Sequence, residues 1–244
     1  MIYLLLFTAA LITSFISGVL SMAGGMILMG VFSFLLSVPA AMTLHGITQA
    51  FSNGSRVWFY RHHIRGKILF PYIMGAFIVL GLFSISSFIP SAGLVFIVIG
   101  LFPFLAQVLP ESINLDIQQP KMAFLSGLTV TLTQMLAGAS GPVLDIFYLQ
   151  SNLTKAEVLG TKALTQTFGH IAKLIYYGSL MVFAGETLTN ELIISVVIAA
   201  LLGNFLGSLV IKRISDEQFK TVGQYTIMVI GTIYIVKGLI ELLD

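Results

Sequence analysis

Apolar runs of membrane-spanning length, separated by short polar turns, fill almost the whole chain. They fall at residues 2–37, 40–60, 68–89 and 93–109, and again at 122–150, 156–183, 192–211 and 222–242. A hydrocarbon core of about 30 Å requires roughly 20 apolar residues in helix. Six runs meet that length, and the first of each set exceeds it. As one helix at 1.5 Å per residue, residues 2–37 would extend roughly 50 Å. Both long runs are interrupted by small residues: Ser21, Met22, Ala23, Gly24 and Gly25 in the first, and Gly138, Ala139, Ser140, Gly141 and Pro142 in the second. Matched glycine and proline interruptions predict broken helices or hairpins with tips inside the membrane. The expected fold is all-α and polytopic, with two repeats, each a broken or hairpin first helix followed by three spanning helices.

A repeat is also visible residue by residue. At an offset of 117 positions, Thr48, Gln49, Phe51, Arg56 and Tyr60 align with Thr165, Gln166, Phe168, Lys173 and Tyr177, and Gly24 aligns with Gly141. Residues 1–109 are read as the first repeat, 110–121 as a cytoplasmic linker and 122–244 as the second repeat. The basic loops exchange places between the halves. Arg61, Arg65 and Lys67 follow the second run of the first repeat, whereas Lys212, Arg213 and Lys220 follow the third run of the second. The positive-inside rule then requires the repeats to be inverted, with both termini outside.

Composition sharpens the class. Hydrophobic residues make up 57% of the chain and charged residues 9%, against roughly 25% charged in a soluble domain. So little polar surface excludes a water-soluble fold, and the length leaves no room for a separate soluble domain. The absence of cysteine excludes disulfides, thiol catalysis and Cys-ligated zinc. No metal site and no cofactor are expected. A small anion and the lipid bilayer are the expected partners, nucleic acid is excluded, and homo-oligomerisation stays open.

The polar residues inside the apolar runs are not scattered. His45, Gln49, Ser52, Asn53 and Arg56 recur every three or four positions, as do Lys162, Gln166, Gly169, His170 and Lys173. Each set forms a stripe on one helical face. Ionisable groups near the centre of a spanning helix cost roughly 2.5–3.5 kcal/mol on insertion scales, so two matched stripes should line a shared cavity. The buried charge is mostly positive, with Asp145 the one carboxylate deep in an apolar run. This balance favours an anion. The candidate substrate-binding residues are Gly24, Gly25, His45, Gln49, Asn53, Arg56, Ser140, Gly141, Lys162, Gln166, His170 and Lys173. Asp145 is the candidate for coupling. Free N–H groups where helices restart after each break should add to the attraction, about 2 kcal/mol per half charge at 4 Å in a dielectric of 20, with Ser140 as a candidate cap. A channel and, less well supported, an intramembrane enzyme using His45 or His170 as a base remain alternatives to a carrier.

Phe15, Ile16, Ser17 and Gly18, followed by Met22, Ala23, Gly24 and Gly25, resemble the glycine-rich opening of the sulfite exporter TauE/SafE family. The basic loop from Arg61 to Lys67 resembles it too, and Phe124, Leu125, Ser126 and Gly127 open the second copy in the same way. The chain has Ala-Gly-Gly where that family often has three glycines. The resemblance implies a secondary transporter that exports small sulfur oxyanions or organosulfonates across the bacterial inner membrane.

The inversion generates a direct test. Single cysteines at Ile64 and Ser215, on the naturally cysteine-free chain, should both label from the cytoplasmic side. Labelling from opposite sides would rule out inverted repeats.

Overall fold

The computed structural model describes residues 2–20, 23–108, 115–210 and 216–243. Its elements are all helical. They run α1 (Ile2–Leu20), α2 (Ala23–Leu35), α3 (Val38–Tyr60), α4 (Gly66–Ser86), α5 (Ala92–Val108), α6 (Pro120–Ala137), α7 (Gly141–Ile146), α8 (Lys155–Phe183), α9 (Asn190–Val210) and α10 (Asp216–Leu243). A single 3-10 turn, Arg61–His63, leads from α3 toward α4.

Local chemistry explains the boundaries. Ser37 accepts a hydrogen bond from the Ala40 amide at 3.3 Å, with proline in the first turn, so α3 starts there. Thr154 and Glu157 form a reciprocal capping box at the start of α8. Ser87 and Gly138, both left-handed, close α4 and α6 through backbone bonds to Phe83 and Gln134. The predicted break in the second long run is therefore a helix end at Gly138 (φ 75°) and a restart at Gly141. The return segments are unequal. α2 has 13 residues, but α7 has only 6, because residues 147–150 leave the helix as turns.

Among the described residues three helices, α1, α4 and α9, are long and apolar enough to cross a membrane. α3 and α8 have the length, at 23 and 29 residues, but carry the polar stripes. Residues 21, 22, 109–114 and 211–215 lie outside the described residues, and with them Ser21 and Met22 of the first interruption, the first part of the expected linker and the basic pair Lys212 and Arg213. Lys220, expected in that loop, falls inside α10, which begins at Asp216.

Four helix pairs make the body: α1 on α9, α3 on α8, α4 on α6 and α5 on α10. Lipid tails provide no hydrophobic drive between helices, so close backbone approach at small residues must hold them. Gly18 of α1 lies against Asn204 and Gly207 of α9, and Gly203 faces the backbone of Leu11 and Phe15. Gly127 of α6 meets the Tyr72 carbonyl of α4, while Gly75 meets Phe124 and Leu128. In the α5–α10 pair, Gly93 faces Gly238 and Gly100 faces Gly231, so these helices run antiparallel. α3 and α8 are antiparallel as well, with Thr43 beside Gly178 and Tyr60 beside Gly160. The two polar stripes therefore face one another at the centre.

These contacts predict an uneven response to added methyl groups. Gly127→Ala drives a Cβ into the Tyr72 carbonyl and should lower stability by about 1–3 kcal/mol. Gly81→Ala points into open space and should be neutral or slightly stabilising. Thermal melting of the detergent-solubilised protein checks both, and equal melting of the two variants would contradict the packing scheme.

Candidate functional site

The facing stripes form a hydrogen-bonded network that reaches both helix breaks. Nε2 of His45 lies 2.8 Å from the Gly25 carbonyl in the first turn of α2. A carbonyl can only accept, so Nε2 carries the proton and Nδ1 is the acceptor. That acceptor is met by Lys173 Nζ at 2.8 Å, and the same ammonium donates to the Gly138 carbonyl at 2.7 Å. Lys173 and His45 are both fully buried. One chain of bonds thus runs from the second break through α8 and α3 to the first.

A parallel arrangement supports His170. The Gln134 amide, on α6, donates to Nδ1 of His170 at 3.0 Å, and its oxygen accepts from the Ser140 hydroxyl at 3.3 Å. Gly169 leaves the room that Gln134 occupies. Ser140 sits at the α7 N-cap position but makes no side-chain cap bond. The expected cap is therefore absent, because the hydroxyl is committed to Gln134. The helix-terminus attraction expected at this break also falls on a helix of 6 residues, too short to carry a full terminal half charge.

Between these groups is a small cavity, with about 20 Å³ open to the centre of a water-sized sphere. His45, Gln49, Asn53 and Arg56 line it from α3, Gln166 and His170 from α8, and Gly25, Ser140 and Gly141 from the two breaks. The rings of His45 and His170 meet edge to face at 5.4 Å. Asn53 donates to the Gln49 carbonyl at 3.1 Å, which fixes its amide on the same helical face. Arg56 Nη2 donates to the Ser17 carbonyl at 3.1 Å and to Asn204 Oδ1 at 2.8 Å. Its acceptors are neutral, and among the described residues no carboxylate pairs with it.

Four other residues named from the sequence, Gly24, Lys173, Lys162 and Asp145, lie elsewhere. Gly24 packs on α1, where a Cβ would strike the Thr13 carbonyl and Ser17. Its close approach is to a helix, not to the cavity. Lys173 stands behind His45 and does not line the space. Lys162 forms an ion pair with Asp145 of α7, also away from the lining.

The comparison with known families settles the class. The model described as Sulfite exporter TauE/SafE matches residues 6–234, nearly the whole chain. The chain belongs to the sulfite exporter TauE/SafE family. It is a membrane transport protein of that family, and the apolar α1, α4 and α9 agree with a membrane location. No curated protein and no solved structure matches it.

In this TauE/SafE chain the sequence pattern missed Ser17, Gln134 and Asn204, which hold Arg56 and His170. The available signal was each one's polarity in an apolar helix. Gln134 also stands four residues before the Gly138 break, and Ser17 lies within the Phe15–Gly18 motif.

The network makes Lys173 a structural tie. Lys173→Met leaves Nδ1 of His45 and the Gly138 carbonyl without their donor. At about 1–3 kcal/mol for each buried unsatisfied group, the loss of stability should be about 2–6 kcal/mol. Denaturation of the purified protein measures it, and wild-type stability in Lys173→Met would exclude the tie.

Proposed function

We propose that the protein carries a small sulfur oxyanion or organosulfonate out across the bacterial cytoplasmic membrane by alternating access, at a site between two inverted repeats. The observation that carries the reading is Arg56, a guanidinium lining the central cavity with only neutral acceptors around it. Leaving a buried charge unpaired costs about 3–5 kcal/mol, and an anion in the cavity offsets that cost. Gln49, Asn53, Gln166 and His170 add N–H donors that suit the several oxygens of a sulfite-like group. The family supplies sulfur, since the cavity chemistry by itself specifies a small oxyanion.

The helix pairing supports the repeat reading. If α1 corresponds to α6, α2 to α7, α3 to α8, α4 to α9 and α5 to α10, a twofold exchange turns the α1–α9 pair into α6–α4. The same exchange returns α3–α8 and α5–α10 to themselves, and these are the four principal pairs. The aligned Gly18 and Gly127 of the Phe-x-Ser-Gly motifs both sit at such a crossing, on α9 and α4 respectively. The repeats are assigned to 1–109 and 122–244, joined by 110–121. Rocking of one repeat against the other about the α3–α8 seam gives access from each side in turn.

Flux of radiolabelled sulfite in proteoliposomes tests this. A carrier saturates and shows counterflow, and Arg56→Gln should lower transport at least about tenfold by removing the charge-assisted bond. Transport by Arg56→Gln at the wild-type rate would reject the cavity as the site.

A further inference from the structure

Asp145 is paired with Lys162, yet the pair is only half satisfied. Lys162 Nζ donates to Oδ1, whereas Oδ2 is buried without a hydrogen-bond partner. The Tyr148 hydroxyl, close to Asp145 and itself buried, also lacks a partner. Tyr72 of α4, beside Thr131 of α6, completes the surroundings. The other helices packed on α7 are α2 and α5, which carry no titratable side chain. Lys121 lies at the exposed start of α6, and Asp116 lies in the loop that packs on Phe147. Orphaned buried oxygens on and around a partly buried carboxylate require an explanation, because each costs about 1–3 kcal/mol.

The position of the pair supplies one. Asp145 follows Gly141 by four residues, and Lys162 precedes Gln166 by four, while Gly141 and Gln166 both line the cavity. On each helix the pair is therefore one turn, about 5.4 Å, from the cavity wall and on the same face. The four methylenes of a lysine can cover that distance by changing rotamer.

We propose that Asp145 and Lys162 are the proton-linked part of the anion site, a reading that rests on the transport function argued above. When water delivers a proton to Oδ2, hydronium becomes water and the carboxylate becomes a carboxylic acid. Its new O–H has the partnerless Tyr148 hydroxyl in its surroundings. The charge that held Lys162 is gone, and the ammonium, still protonated, turns toward the anion in the cavity. The pair changes from net zero to net +1, which matches an incoming monoanion. Anion and deprotonated Asp145 compete for one ammonium, so anion binding takes up a proton. A metal cation does not fit at Oδ2, since the neighbouring ammonium would repel a unit charge by about 4 kcal/mol at 4 Å in a dielectric of 20.

The test uses the purified full chain and methanesulfonate, whose fixed charge separates protein titration from substrate titration. In weak buffer with a pH-sensitive dye, wild type should take up close to one proton per anion bound. Its affinity should rise by up to about tenfold per unit fall in pH. In Asp145→Asn the uptake should vanish and the affinity become independent of pH. Anion binding by wild type without proton uptake overturns the proposal. So does uptake that persists in Asp145→Asn and disappears in His170→Gln, which assigns the proton to the histidine. The wild-type measurement stands even if Asp145→Asn fails to fold. If neither methanesulfonate nor sulfite binds, or if Arg56→Gln binds either as wild type does, the transport site itself is wrong and this inference falls with it.

Discussion

Inside a bilayer, a helix that stops halfway exposes carbonyl and amide groups with no water to satisfy them, and each exposed group costs several kcal/mol. This constraint organises the centre of the protein. Where α6 ends, the Gly138 carbonyl accepts from Lys173, and His45 adds a donor to the Gly25 carbonyl in the first turn of α2. Those side chains come from the two longest central helices, which must cross face to face for the bonds to form. The breaks, the polar stripes and the antiparallel α3–α8 seam are therefore one solution to a single problem. The cavity is the space this solution leaves over.

At the offset of 117 positions, the two halves of the chain carry similar but unequal residues. Lys173 aligns with Arg56 and His45 with Lys162, yet the members of each pair do different work. Arg56 lines the cavity among neutral acceptors, while Lys173 ties the breaks together through His45. Lys162 is held by Asp145, for which the first half has the apolar Leu28 at the same offset. A perfectly symmetric site would bind an anion identically from both sides. The asymmetry confines the carboxylate to one break, where the proposed proton linkage would act.

Much of this was legible because periodicity and local capping report on backbone state. The spacing of His45, Gln49, Asn53 and Arg56 revealed a shared face, and all nine cavity-lining positions named above on α3, α8 and the breaks follow from stripes and small-residue interruptions. Pro39, Pro120 and the Thr154–Glu157 box mark helix starts in plain sequence. What was not legible depends on which helices touch. Nothing local distinguishes Asn204 from any other lone polar residue in an apolar helix, and its role appears only when α9 packs beside α3. Lys162 and Lys173 look equivalent on one stripe, but a position 11 residues along a helix differs by about three turns in depth. Gly24 and Gly25 are adjacent and chemically identical, yet successive residues point about 100° apart on a helix, so one packs on α1 and the other faces Gln49.

The central claim is that the cavity between α3, α8 and the two breaks holds a small oxyanion against Arg56. The most direct measurement is a crystal structure with selenite, a heavier analogue of sulfite, located by its anomalous signal. The account predicts one strong site within hydrogen-bonding distance of the Arg56 guanidinium, enclosed by Gln49, Asn53, Gln166 and His170. An empty cavity at saturating selenite, or an anion bound elsewhere among the helices, would contradict it.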